Sequence, residues 1–220
     1  MTDAASRAAH LALIVGFHAA CFAALATGVR GADLALCGAL YLVQMFGVTA
    51  GYHRYFSHRS FKTSRAFQFV LALLAMTSGQ RGVLWWAWHH RHHHRHSDTP
   101  QDLHSPRHMG FWRSHLLWWM AAENRRPDLA QVRDLARYPE LRLLERFYAT
   151  PALLTAAACY GLGGWGGFVV GFCWSTVLVW HATFAINSLA HLWGRQDHAT
   201  GDDSRNNAVL AVLTLGEGWH

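Results

Sequence analysis

FYATPALLTAAACYGLGGWGGFVVGFCWSTVLVWHATFAINSLAHLWG, residues Phe147–Gly194, runs from end to end without an Asp, Glu, Lys or Arg. A helix crossing the hydrocarbon core needs about 20 apolar residues, and this run, more than twice as long, has room for two crossings. The turn between them is expected near Gly161, Gly163, Gly164, Gly166 and Gly167. Two further uncharged runs precede it, Ala8–Val29 and Leu34–His53, each long enough for one crossing. The expected fold is therefore an all-α integral membrane protein with four transmembrane helices, at about 8–29, 34–53, 149–170 and 172–193. The stretch Gly28–Asp33 is too short for anything but a turn. The first apolar run is too long and too poorly ended for a cleaved leader, and is expected to stay as the first span.

The charged residues orient these spans. Of 19 Lys and Arg, 15 lie between Arg54 and Arg146, against 7 acids in the same window. Because that window sits between spans and not on a free domain, it is expected to be the cytoplasmic face and not a nucleic-acid patch. An even number of crossings returns both ends to this side, which gives a cytosolic helical cap made of 54–146 and 195–220. The shorter apolar pieces Phe67–Thr77, Val83–Trp88 and Phe111–Met120 are expected to lie at the membrane interface. Arg125–Arg146 alternates charged and apolar residues and is expected to form a surface helix broken at Pro139. Cys21, Cys37, Cys159 and Cys173 all fall in apolar segments without a CxxC pair, so they are expected to be small core residues. With no repeat or linker, 1–220 is expected to be a single domain.

Histidine sets the chemistry. There are 17 in the chain, and 11 of them lie between His53 and His115. A site rich in imidazole and poor in thiolate and carboxylate suits iron, copper or zinc. In WHHRHHHRHSD, His90 precedes His93 by three residues and His94 by four, so the three share one helix face. His53 and His58 are five apart, about 140° off register in an α-helix, and can share a site only where the helix ends or unwinds. Asn187 and His191 share a face at the end of the last apolar run.

HRYFSH, HRHHHRHSDTPQDLH, NSLAHLWG, DDSRNN and GEGWH, in that order over Gly51–His220, resemble the membrane-bound acyl-CoA desaturases of the Δ9, stearoyl-CoA type. The resemblance implies two iron ions, with O₂ as co-substrate, held by His53, His58, His90, His93, His94, His191 and His220, and by Asn187 through a water. It implies that Trp86 and Thr183 bend the acyl tunnel and that Gln80 lies near the thioester end. An arginine that family members use at the coenzyme A end is Trp88 here. Asp98, Asp102 and His104 are expected behind the ligands, since ligating imidazoles need a partner on the other ring nitrogen. His181 has no counterpart. The implied partners are a saturated acyl-CoA of about C16–C18, membrane lipid, and a ferredoxin or b-type cytochrome with its reductase, with no nucleic acid. The family's last box carries two more histidines than GEGWH, so the chain is expected to be part of a longer product and to hold iron poorly as written. Two other classes would also use many histidines. A diiron lipid or alkane hydroxylase is one, and a membrane metal transporter is the other.

Overall fold

The computed structural model describes residues 3–219, and the expected ligand His220 lies outside them. The described chain is helical, with a single isolated bridge between Arg195 and Asn206. Three helices are long and apolar enough to cross a bilayer: α1 (Ala4–Thr27), α2 (Gly31–Ser57) and the 42-residue segment Thr150–His191. The last covers both of the spans expected at 149–170 and 172–193. It folds back on itself at Gly164 (φ 60°, ψ −144°), inside the glycine cluster where the turn is expected, though before the 170–172 boundary drawn between the two spans. Glycine is favoured there because a φ of 60° combined with a ψ of −144° lies outside the regions open to residues with a Cβ. The two limbs then pack so closely that a Cβ on Gly167 would collide with the carbonyl of Cys159. The first limb, 150–163, rises about 21 Å and is shorter than the hydrocarbon core, whereas 166–191 rises about 39 Å. The reversal is tied to the α1–α2 turn by Arg30, whose guanidinium donates to Gly163 O at 2.6 Å and to Asp33 Oδ1 at 2.7 Å.

Between the long helices lie α3 (Arg65–Met76), α4 (Val83–His96) and α5 (Pro139–Arg146). We number the long third apolar helix α6 (Thr150–His191) and the short helix before the final motif α7 (Ala208–Leu213). The core joins α2, α3 and α4 around Met45, Tyr52, Phe56, Leu71 and Met76, all fully buried. Close approach of α2 and α3 depends on Gly47, where a Cβ would lie 2.5 Å from the backbone nitrogen of Ala75. Gly47→Ala is expected to cost about 1–3 kcal/mol by overpacking, because the opposing wall is backbone and cannot rotate away. Thermal unfolding of the purified protein in detergent checks this.

Two expectations change here. Arg125–Arg146 is not one helix: it comprises short turns and α5, which starts at Pro139 as expected. Proline supplies the fixed φ of a first helical turn and blocks continuation from before. Nor is the Val83–Trp88 segment an interfacial belt. Trp85 and Trp86 are buried at the start of α4, and Trp118 is buried beside them, while Trp112 is 70% exposed. The cysteines are unpaired as expected, with Cys37, Cys159 and Cys173 buried.

Candidate metal centre

The first histidine pair is brought together by a change of helix type. From Gly47 to Ser57, α2 is a π-helix, and the amide of His58 donates to His53 O at 3.0 Å. Residues five apart are then about one turn apart, so the helix is underwound between them without ending. π-turns concentrate at functional sites because they re-aim side chains without breaking the helix. The Nε2 atoms of His53 and His58 lie 3.1 Å apart. His90 and His94 meet them from α4, with His58–His90 at 2.9 Å and His90–His94 at 3.0 Å between Nε2 atoms.

These four nitrogens fit a metal ion. Adjacent ligands on an octahedral sphere of about 2.1 Å radius sit about 3 Å apart, which matches the spacing found. The four rings present nitrogen donors and no carboxylate or thiolate, a set for a transition metal. Burial holds the pKa of His58 and His90 below the ordinary histidine value, and neighbouring Arg91 and His53 respectively act in the same direction. Neutral imidazole is the ligating form.

A second group lies alongside. His93 Nδ1 meets Asp102 Oδ1 at 3.0 Å, and His191 Nδ1 meets Asp98 Oδ2 at 2.8 Å. A carboxylate on Nδ1 fixes the tautomer and leaves Nε2 as the ligating nitrogen. The rings of His93 and His191 are 5.6 Å apart, and His93 is 6.4 Å from His90, so the two groups are neighbours. His104 packs 4.2 Å from His93, and its amide donates to Asp102. Burial opposes charge on Asp98 and Asp102, but hydrogen bonds from His191 and Ser105 to the first, and from His93 to the second, hold both well below the usual carboxylate range. Asn187 lines the adjoining cavity, and its backbone carbonyl accepts from Ser114 Oγ at 2.8 Å.

The cavity runs beside the ligands. Trp86 stacks on His90 at 4.8 Å and on Tyr52 at 5.2 Å, forming one wall. Gln80 Nε2 donates to Thr183 Oγ1 at 3.0 Å. The structure therefore brings Gln80 to Thr183, one of the two expected bend residues. Trp88 is half-buried beside His89.

Several positioning residues escaped the sequence reading. Arg91, inside the histidine run, donates to Phe56 O at 2.6 Å and to Ser57 O at 3.2 Å and pairs with Asp134 at 2.8 Å. It locks the end of the π-helix to α4, which explains an arginine among ligands. Glu145 of α5 accepts from the amides of Leu84 (2.8 Å) and Trp85 (3.2 Å), capping α4 from another helix. Glu217, in GEGW, is buried 4.0 Å from His53 Nδ1, and burial pushes its carboxyl up to about 7. DDSRNN also acquires a role, because the Asp203 amide donates to Asp98 Oδ2 at 2.8 Å. His181 belongs to a chain of its own, bonded through Nε2 to His18 (2.9 Å) and through Nδ1 to His115 (3.0 Å).

An apolar helical bundle thus gathers imidazoles and their carboxylate partners at one end, beside an aromatic cavity, in an arrangement that could hold a metal ion. A model of the fatty acid desaturase family matches residues 32–220, and the chain belongs to that family. It is 35% identical over 215 residues to the acyl-CoA C20 Delta5-desaturase of Anemone leveillei, covering 96% of this chain and 68% of that one. Against the sn-1 stearoyl-lipid 9-desaturase of Anabaena variabilis it is 33% identical over 209 residues, 94% of this chain and 76% of that protein. The sn-2 palmitoyl-lipid 9-desaturase of Nostoc is 35% identical over 185 residues, 82% of this chain and 65% of that protein. The family is one of oxidoreductases of lipid metabolism.

Proposed function

We propose that the protein is an O₂-dependent diiron desaturase that introduces a cis double bond, at the Δ9 position, into a saturated acyl chain of about 16 to 18 carbons. The four Nε2 atoms of His53, His58, His90 and His94, each within about 3 Å of the next, are the observation that carries this reading. Overall, two hydrogens leave adjacent methylenes, and with O₂, two electrons and two protons they form two waters. No side chain abstracts hydrogen from a methylene, so bound iron supplies that oxidation. His53, His58, His90, His94, His93 and His191 would hold the metal, with His220 and a water on Asn187 as the resemblance implies. Asp98 and Asp102 would orient His191 and His93. Trp86, Thr183 and Gln80 would hold the acyl chain and keep water from the reacting carbons. Electrons would come from a ferredoxin or a b-type cytochrome.

The four-span arrangement, with the histidine face in the cytoplasm, belongs to the same proposal and is supported by the 15 basic residues between Arg54 and Arg146. A transporter is disfavoured because the histidines half-buried along the apolar spans are engaged within the protein: His18 and His181 are bonded to each other, His18 also to Ile14 O, and His10 accepts from Arg81. The test is to express the full-length gene, with iron, in a host lacking a desaturase and to analyse its fatty acids by gas chromatography. Monounsaturated chains with the bond after carbon 9 are expected. Hydroxylated chains instead would establish the hydroxylase reading, and a bond at carbon 5 or 7 would overturn the position.

A further inference from the structure

The carrier of the acyl chain is open, since the relatives' names divide between CoA and lipid. One end of the cavity answers it. Its lining runs from Asn187 and Thr183, beside the ligands, to Arg81, Leu13, Gly79 and Tyr148. Leu13 is 49% and Tyr148 38% exposed, and Gly79 is also exposed, so the cavity opens at the surface between them. Leu13 belongs to α1, an apolar span with little of its surface buried in the protein, so the surface around this opening faces lipid.

The depth of the opening follows from helix register. α1 packs antiparallel to the second limb of α6, with the rings of Phe17 and Trp180 4.8 Å apart and His18 bonded to His181. From there, His10 lies about 11 Å toward the metal end and His191 about 16 Å, so His10 stands within about one turn of the ligand level. Arg81 Nη2 donates to His10 Nε2 at 2.9 Å. The guanidinium is therefore at headgroup depth, with Leu13 a turn deeper against acyl chains.

Arg81 is held for a purpose other than an internal ion pair. Among the described residues it makes no ion pair with a carboxylate, and Glu145, whose field reaches it, is committed to the amides of Leu84 and Trp85. It is fixed at φ 71°, a strained conformation for a long side chain, and its guanidinium lies 5.4–5.7 Å from the rings of Trp85, Trp119 and Tyr148. Aromatic contacts hold a guanidinium in place; with His10 and the Tyr148 hydroxyl as its neutral partners, Arg81 keeps further in-plane N–H groups for an oxygen acceptor.

We propose that the opening at Arg81 is a lateral portal through which the acyl chain of an intact membrane glycerolipid enters from the bilayer, with Arg81 donating to the oxygens at its ester head. The proposal rests on the desaturase reading. It also sets a ruler. From Trp85, beside the guanidinium, α4 rises about 8 Å to His90, and from Gly82 about 12 Å, so a chain anchored at Arg81 is expected to present a carbon near the middle of its length to the ligands.

The experiment uses the full-length, iron-loaded protein in nanodiscs of phosphatidylglycerol with a perdeuterated stearoyl chain at sn-1 and a ¹³C-labelled oleoyl chain at sn-2. Reduced ferredoxin, or cytochrome b with its reductase, supplies electrons, and CoA is absent. Mass spectrometry of the intact lipid is expected to show loss of two deuteriums with the ¹³C chain retained. Arg81→Gln is expected to lower that rate at least tenfold at unchanged iron content, and to scatter the double-bond position. If stearoyl-CoA is desaturated and the labelled lipid is not, or if Arg81→Gln keeps full rate and position, the proposal is overturned while the desaturase reading stands. Turnover of neither substrate overturns both.

Discussion

Replacing His90 by alanine is expected to eliminate unsaturated product, lowering turnover by at least about a hundredfold, and to lower the iron content of the purified protein by one atom per chain. His90 is the hub of the first histidine group. Its Nε2 lies 2.9 Å from that of His58 and 3.0 Å from that of His94, and its ring is 4.7 Å from that of His53. Removing any one of the four leaves three imidazoles around the same point, with the ring of His94 still 4.5 Å from that of His58, but His90 is in ring contact with all three others and with the cavity wall. Trp86 also loses the ring it stacks on, so the cavity wall loosens where the substrate must be held. Iron is counted by inductively coupled plasma measurement and product by gas chromatography. His92, on the same helix, bonds to Gln101 O and belongs to neither group, so His92→Ala is the control that should leave both readings near the parent value. Equal loss in both variants would mean that α4 had simply unfolded.

The sequence showed which residues form the centre better than how the chain brings them together. His90, His93 and His94 share a face because α4 is an ordinary α-helix, and an α-helix is the default expectation for that spacing. His53 and His58 defeat the same arithmetic, since a π-helix has no reliable signature in composition and its wider turn is stabilised here by tertiary contacts. One such contact, Arg91 on the Phe56 and Ser57 carbonyls, spans 35 residues of sequence. Gly164 was one of five glycines in a cluster, and only the packing of the two limbs selects it as the reversal. Glu217 and Asp203 sat within recognisable motifs, yet nothing local says that one faces His53 and the other Asp98. Distance along the chain hid the His18–His181–His115 chain, although its three members were visible as lone histidines near apolar segments. Arg81 was hidden for another reason: a single arginine between two short helices has many uses, and only its cavity, its aromatic neighbours and its depth narrow them.

Asp98→Ala is expected to weaken iron binding by about 10- to 100-fold, while leaving activity partly recoverable at high iron. Asp98 joins four parts of the site. Its Oδ2 meets His191 Nδ1 and the Asp203 amide, each at 2.8 Å, its other oxygen accepts from Ser105, and its backbone carbonyl meets His108 Nε2 at 2.8 Å. Losing the carboxylate frees the tautomer and rotation of His191 and leaves the buried Ser105 hydroxyl without this acceptor, a further cost of about 1–3 kcal/mol in stability. Asp98→Asn separates the two effects, because it keeps the shape and an acceptor oxygen but removes the charge that favours a proton on His191 Nδ1. Iron titration of the apo-protein should therefore rank parent, Asn and Ala in that order, and thermal unfolding should place Asn nearer the parent than Ala. Identical iron affinity in all three would show that His191 is held by packing alone, and the carboxylate would then serve only to dock the 202–207 segment onto the cap.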